Sequence, residues 1–439
     1  MVSRSETQKI KFDQLVVTCD EMLRAGRIDE VIAIVAELNF AQIPRTSRQA
    51  LAKIARRCGL IEEGLGILFP VIRDERPLEI PPTPSEICEY SVLLSRNGSM
   101  TEALSLLDSV DPRQAPEALL YQGFCHVSSW DYAKAKDYFA RYLQTDVDEY
   151  SKLVARVNLA ACLIVAGELS EAESFTSTTL EIALAMKATR LAGNCLELRA
   201  QCHLGSNDFT RASSDLDRAQ EIFGGVQSYD QLLIEKWRSL IEASRTNSAA
   251  PIRRFRSLAL DRRFWEFVRD ADLLALKLEF DQRAFDHLIF GTPVGIYRER
   301  IASQLSGSPS PHYVWGEESS CNFVLEAGVG GGVRLNPGKK IHQLMVALLG
   351  DFYAPRRIGG LFAELYPEEK FDVHTSNLKI RQLMKRTRAW FYRSEIPLGI
   401  SYTNGGYRLV RTAPYGIELR LTRELLVTPE LRWLELRRH

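Results

Sequence analysis

The sequence predicts a mostly α-helical chain in which a long array of helix pairs is followed by a small α+β domain. Small residues recur with a period of roughly 34 residues through the first half, which is typical of stacked helix pairs. The last quarter instead combines three short amphipathic segments with a glycine-containing turn between β-prone runs. This second pattern predicts three helices and a β-hairpin.

Three positions define each unit of the array. A small residue is followed twelve positions later by a second small residue, and four positions after that by a third residue that is usually larger. The small residues allow two antiparallel helices to approach closely, and the third fills the gap toward the next pair. The six sets are Cys19, Val31 and Val35; Ala52, Gly64 and Leu68; Ser91, Ala103 and Leu107; Gly123, Ala135 and Phe139; Ala160, Ala172 and Thr176; and Ala200, Ala212 and Leu216.

The positions of turn-forming residues agree with this spacing. Residues suited to reversing the chain stand five positions before the second small residue. They are Gly26, Gly59, Gly98, Gly167 and, more weakly, Trp130 and Asn207. The pattern resembles the tetratricopeptide repeat, best in residues 121–143, while Gly64 and Thr176 depart from it. The resemblance implies six repeats between about Lys11 and Phe223, with a concave surface on which a protein or peptide binds.

The domain boundaries follow from this pattern. We expect residues 1–305 to form a helical-repeat domain, with repeats over about 11–223 and a helical cap over 224–305. The run SGSPSP has the composition of a flexible linker, which we place at 306–312. The remaining residues, 313–439, form the second domain with a C-terminal extension. A dimer interface or a spacer is an alternative role for the repeats.

The longest amphipathic segment of the second domain covers residues 374–394. At helical spacing, one stripe is suited to pack on a core. It consists of Ile380, Leu383, Met384, Thr387 and Phe391. The other face is basic and able to form hydrogen bonds. It carries Thr375, Gln382, Lys385 and Arg386, flanked by Lys379 and Arg381.

Two shorter helices are predicted upstream, at 340–349 and 358–365, after β-prone runs that indicate a small antiparallel sheet. Downstream, Asn404-Gly405 supplies the positive φ angles of a tight hairpin turn. Residues 313–410 resemble the winged-helix effector domain of OmpR/PhoB-type bacterial transcription factors, down to the wing ending Gly406-Tyr407-Arg408-Leu409. The resemblance implies binding of double-stranded DNA. Where many members carry a minor-groove arginine, this chain has Thr403.

Two alignments of the third helix are possible. The string DVHTSNL matches the family directly and would place Val373 and Asn377 against bases. A shift of five residues puts Ile380 and Leu383 on the family's core positions and restores the usual loop after Tyr366. We prefer the shifted register because it buries the apolar stripe.

Charge supports a polyanionic partner. The whole chain has a net charge of zero, yet residues 334–411 hold 14 Lys and Arg against 6 Asp and Glu. Such a local excess permits counterion release from phosphates. We therefore predict Gln382, Thr375 and Lys385 near base edges, with phosphate contacts from Lys379, Arg381, Arg386 and Arg357. The wing, with Thr403 and Asn404, is expected to contact the flanking backbone.

Other classes of function find little support. The glycine run at 328–333 lacks a following GK[ST], and no nucleophile motif is present, so we expect no enzyme and no cofactor. Cys195, Cys202 and His203 match no common metal spacing. Neither a membrane span nor a secretion signal is evident, which favours the cytoplasm. Homodimerisation is possible. The alternative function is a non-enzymatic adaptor whose winged helix binds protein.

Overall fold

The computed structural model describes residues 4–24, 27–73, 80–224, 229–305, 312–315, 321–324, 333–334, 339–403, 405–412 and 416–420. The features predicted at Gly26, at the linker run 306–311 and at Asn404 lie outside the described residues. Whether the domain boundary falls at 306–312 therefore stays a prediction.

Consecutive helices dominate the first half of the chain, and short turns join them into pairs such as α3 with α4, α5 with α6 and α11 with α12. The helices are α1 (Arg4–Arg24), α2 (Ile28–Ala36), α3 (Arg45–Arg57), α4 (Ile61–Ile72), α5 (Pro84–Asn97), α6 (Met100–Asp108), α7 (Glu117–Ser128), α8 (Tyr132–Leu143), α9 (Glu149–Ala166), α10 (Leu169–Ala185), α11 (Thr189–Gly205) and α12 (Phe209–Phe223). This order is that of a tetratricopeptide-like array.

The repeat positions predicted from the sequence are confirmed, because every residue assigned to them is buried. The departure at Gly64 has a steric reason: a Cβ atom there would lie 2.7 Å from Leu93 Cδ2 of α5. The departure at Thr176 leaves a buried hydroxyl without a hydrogen-bond partner in the described part of the chain. The close approach of α4 to α5 therefore favours glycine at position 64, whereas burial of the Thr176 hydroxyl costs free energy of folding.

The predicted turn residues are also confirmed. Gly59, Gly98 and Gly167 have φ angles of 79°, 102° and 81°, and Trp130 and Asn207 have φ angles of 59° and 60°. All five occupy the left-handed region, which glycine enters without the steric cost that Cβ imposes on other residues. In these five pairs, a left-handed residue follows the first helix and lets the chain reverse into the second.

Helix pairing continues beyond the six predicted repeats. The following helices are α13 (Tyr229–Thr246), α14 (Ala250–Asp261), α15 (Trp265–Leu278), α16 (Gln282–Phe290) and α17 (Gly295–Gln304). Asn247 and Arg263 supply left-handed turns after α13 and α14, and Ala243 and Ala259 are fully buried. The region predicted as a cap thus has left-handed turns and buried small residues like those of the repeats.

The remaining elements build the second part of the chain. They are β1 (His312–Trp315), β2 (Cys321–Val324), β3 (Val333–Arg334), α18 (Lys340–Leu349), β4 (Arg356–Arg357), α19 (Ile358–Leu365), α20 (Ser376–Arg393), β5 (Leu398–Thr403), β6 (Gly406–Arg411) and β7 (Gly416–Arg420). The predicted helices and hairpin are confirmed. In the hairpin Thr403 pairs with Gly406, and Gly405 has a φ of 74°. Three helices followed by a hairpin is the order of a winged helix-turn-helix.

The sheet before α18 differs from the prediction. Its strand order is β1-β7-β2-β3, with β7 antiparallel to β1 but parallel to β2, and β2 parallel to β3. The expectation of an antiparallel sheet is therefore wrong. A strand from the chain's tail, Gly416–Arg420, enters the middle of the sheet, and no local pattern in residues 312–334 announces that insertion. A second sheet has the order β4-β6-β5.

Two compact units divide the chain. The first comprises Met1–Cys125 and Arg357–Ala389, and the second comprises His126–Arg356 and Trp390–His439. In the first unit, α19 packs on α5. In the second, α18 packs on β6, and the hairpin β5-β6 joins the same unit.

Candidate nucleic-acid interface

The candidate interface is built on α20, whose start is set by the residue Asp372. One carboxylate oxygen of Asp372 accepts hydrogen bonds from the backbone N–H groups of His374 at 2.7 Å and Thr375 at 3.1 Å. The hydroxyl of Ser376 in turn accepts from the Asp372 N–H at 3.0 Å. These bonds satisfy N–H groups that have no partner inside a helix.

The inner stripe of α20 is buried as predicted. Ile380, Met384 and Thr387 have no exposed surface, and Leu383 and Phe391 are 3% and 2% exposed. The Thr387 hydroxyl donates to the Leu383 carbonyl at 2.9 Å, so the one polar member of the stripe is paired. This burial favours the shifted register of the helix, in which Ile380 and Leu383 are core residues.

The opposite face of α20 is exposed and positive. Six basic residues and no acidic residue occur between Ser376 and Arg393. The predicted contact residues Thr375, Lys379, Arg381, Gln382, Lys385 and Arg386 are all exposed. Exposed charges of one sign on a helix surface repel one another, and a polyanion relieves that repulsion.

One member of this face has a partner within the first unit. The ammonium of Lys379 forms an ion pair with Glu369 and lies 5.4 Å from the centre of the Tyr366 ring. Both charged side chains are more than two-fifths exposed, at 43% and 45%. Exposed pairs of this kind contribute only about 0.2–1 kcal/mol, so the ammonium can exchange Glu369 for a phosphate.

Arg357 lies at the N-terminal end of α19 and is exposed, as a phosphate contact requires. A second arginine, Arg96 at the end of α5, belongs to the same unit and is also exposed. Desolvation, together with the nearby charges of Arg56 and Arg357, lowers the pKa of Arg96. The repeats thus place additional positive charge close to α19, and no motif in the sequence indicates it.

The wing residues expected to contact DNA are only partly described. The side chain of Thr403 is half-buried, and the placement of Asn404 lies outside the described residues. Arg408, in the Gly-Tyr-Arg ending, donates to the Phe352 carbonyl at 3.2 Å and lies 5.3 Å from the Trp265 ring centre. Its burial lowers its pKa. Arg408 therefore anchors the wing within the second unit.

The N-terminal end of α20, with the residues just before it, is held by the repeats of its own unit. The Asn377 side-chain amide donates to Glu62 of α4 at 3.0 Å, and the His374 ring meets Phe69 edge-on at 5.0 Å. Val373 and Asn377 are 9% and 6% exposed. These are the two residues that the direct alignment would place against bases, and neither is accessible to a duplex in this structure.

The loop before α20 is attached to the same repeats. The Phe371 N–H donates to the Glu102 carboxylate at 2.9 Å, and Glu102 also pairs with Arg73. Phe371 and Asn377 are 269 and 315 positions from their partners in the chain. Neither contact has a sequence signature, because each residue looks like an ordinary loop or helix residue by itself.

A glycine contact joins α19 to the turn between α5 and α6. A Cβ atom on Gly98 would lie 2.7 Å from the Gly360 nitrogen, and one on Gly359 would lie 2.4 Å from Asn97 Nδ2. Backbone therefore meets backbone at this point, which only glycine permits. In this turn, Asn97 Nδ2 and Ser99 Oγ are buried without a hydrogen-bond partner among the described residues.

Comparisons with known proteins add little to this geometry. No family model matches the chain, and no curated protein matches it. A solved structure, a tetratricopeptide repeat protein from Parabacteroides merdae ATCC 43184, is similar at 16% identity and a TM-score of 0.35. The match covers 63% of this chain and 96% of that one. So low a score carries no conclusion about function.

Two negative findings apply to the described part of the chain. Within it, no helix is both long enough and apolar enough to cross a membrane. Nor does that part contain a group of three or more His, Cys, Asp or Glu side chains arranged to hold a metal ion. Cys195, Cys202 and His203 are buried, and the His203 ring lies 3.5 Å from the Asp215 carboxylate.

Proposed function

We propose that this protein is a transcriptional regulator that binds double-stranded DNA through α20 and is controlled by a protein or peptide that binds its repeats. The observation that carries the proposal is the exposed face of α20, which holds six basic residues and no acidic one over 18 residues. A major groove is about 12 Å wide and accepts one helix with its side chains.

The chemistry of each side chain on this face determines whether it can contact bases or phosphates. Gln382 can donate to and accept from the edge of adenine, while Lys385 can donate to guanine. Thr375 precedes the helix and can reach either kind of base. Lys379, Arg381, Arg386 and Arg357 provide phosphate contacts, which position the helix but do not read sequence.

Salt dependence is the direct test. Four phosphate contacts predict that affinity falls about 100-fold between 50 and 200 mM salt, since each contact adds roughly 0.9 to the slope of log K against log salt. Lys385→Ala should weaken binding to a mixed-sequence duplex in a fluorescence-anisotropy titration. Lys53→Ala is the matched control, because Lys53 is an exposed lysine on α3. Absence of binding at 50 mM salt would rule out this function.

A protein-interaction scaffold is the second candidate. A tetratricopeptide-like array supports it in general, and one specific observation favours it: the large apolar side chains of Leu378 and Tyr392 on α20 are 56% and 87% exposed. In this alternative the face around Lys385 would bind an acidic protein surface. An adaptor would show little duplex binding at either salt concentration, so the same titration separates the two candidates.

A further inference from the structure

The first turn of α20 is the part of the helix that a groove would be expected to receive. In helix-turn-helix proteins the N-terminal residues of the recognition helix contact base edges. Here one side of that turn is occupied, because Asn377 is buried and donates to Glu62 of α4. Leu378 and Lys379 on the other side are exposed. A duplex that received the first turn of α20 would have to displace α4 from it.

The middle of the same helix is open. Gln382, Lys385 and Arg386 lie one to three turns further along and are exposed. The contact with the repeats therefore limits how deeply the helix can enter a groove, but it leaves the charge that attracts DNA accessible. A docked helix of this kind retains phosphate attraction while it loses contacts at its N-terminal end.

The contacts of α4, α5 and α6 with α19 and α20 also contain features that oppose them. Arg73 Nε, Asn97 Nδ2, Ser99 Oγ and Asn377 Oδ1 are all buried without a hydrogen-bond partner among the described residues. A buried polar group without a partner costs free energy, and this cost disappears when the group is exposed to water. In addition, Arg96 and Arg357 are like charges near one another. These unfavourable terms weaken the contact, so a competing ligand can separate the helices more easily.

We propose that α4, α5 and α6 hold the helix-turn-helix in a low-affinity state by covering one side of the N-terminal end of α20, and that duplex DNA competes with Glu62 and Phe69 for this end of the helix. The inference rests on the proposed function. A protein or peptide that draws the first three repeats away from α20 would raise the affinity for DNA, because it would increase the fraction of molecules able to bind.

The test compares three variants of the full chain by anisotropy titration with mixed-sequence duplex. Glu62→Ala removes the acceptor of Asn377, and Phe69→Ala removes the ring against His374. Glu63→Ala is the control, because it removes the same charge from the adjacent position of α4. We expect Glu62→Ala and Phe69→Ala to bind on the order of tenfold more tightly than the wild type, with Glu63→Ala changed much less.

Hydrogen exchange gives a readout that charge alone would not change. The Phe371 N–H donates to Glu102, so its exchange reports on the docked state. Addition of duplex should accelerate exchange at Phe371 while it protects the side of α20 around Gln382. Equal affinities of all variants and unchanged Phe371 protection would overturn this inference alone. Absence of duplex binding by every variant would overturn the proposed function, and the inference with it.

Discussion

Arg269 and Asp351 form an ion pair with an N–O distance of 2.9 Å, although they are 82 positions apart. Both side chains are almost fully buried, at 2% and 7% exposure. Burial by itself lowers the pKa of Arg269, but the neighbouring Asp351 and Glu266 outweigh it and raise that pKa. Asp351 also accepts from the N–H groups of Tyr353 and Ala354, so the pair fixes the loop after α18 on α15.

Arg269→Ala should therefore destabilise the second unit. Removal of one partner leaves a buried uncompensated carboxylate, which costs about 3–5 kcal/mol. Arg254→Ala is the matched control, because Arg254 pairs with Glu242 at 65% and 55% exposure, and exposed pairs contribute at most about 1 kcal/mol. The measurement is the midpoint of urea unfolding. Equal shifts in the two variants would contradict the buried pair's role.

Gly98→Ala should be more harmful than Gly167→Ala. Both glycines are left-handed, which costs a residue with Cβ about 1–2 kcal/mol. Only at Gly98 does the added Cβ also meet backbone, 2.7 Å from the Gly360 nitrogen; at Gly167 it meets nothing within 4 Å.

Thermal unfolding compares the two costs, and hydrogen exchange in α19 shows whether Gly98→Ala displaces that helix. Identical losses of stability, with α19 exchange unchanged in both variants, would show that the backbone contact has no effect.

Glu197→Gln should stabilise the protein near neutral pH. Burial raises the pKa of Glu197 above its ordinary value of 4.5, and the charge of Asp230 raises it further. The hydrogen bond from Trp237 and the charge of Lys236 lower this pKa but do not outweigh burial. A raised folded pKa means that the folded state binds more protons, so stability is lost as pH rises from about 4.5 through the folded pKa. Glutamine keeps an oxygen acceptor for Trp237 and has no proton to lose.

Urea unfolding of the wild type and Glu197→Gln at a series of pH values checks this prediction. The variant's advantage should grow as pH rises above 4.5, by about 1.4 kcal/mol for each unit of raised pKa, and should vanish at lower pH. An advantage independent of pH would contradict the assignment.

Gln382→Ala should weaken recognition of a selected DNA sequence and relax the preference at one base pair, at a cost of about 1–3 kcal/mol. Asn377→Ala should not relax the preference, because Asn377 is not a base contact in the shifted register; loss of its bond to Glu62 should instead tighten binding, as in Glu62→Ala. Sequences selected from random DNA by the wild type provide the substrate for both titrations. If Asn377→Ala alone relaxed the preference, the shifted register of α20 would be wrong.

The sequence was sufficient to predict features that depend only on residues close together in the chain. The repeat positions and their turns were predicted because each depends on spacing within one helix pair, as at Ala52 and Gly59. The stripe of α20 was predicted for the same reason. The parallel placement of β7 was missed because strand direction depends on which distant strand pairs with which. Arg408, matched to a family motif, proved to be an anchor bonded to Phe352.

Helix boundaries, reversals and the charge of the α20 face thus follow from neighbours along the chain, since backbone geometry and side-chain period act over a few residues. The pairing of Asn377 with Glu62 and of Arg269 with Asp351 does not. Those contacts depend on how separate helices pack, and many exposed amides and carboxylates would satisfy the same local pattern. Only the folded chain selects which of them meet, and here that selection determines which turn of α20 is covered.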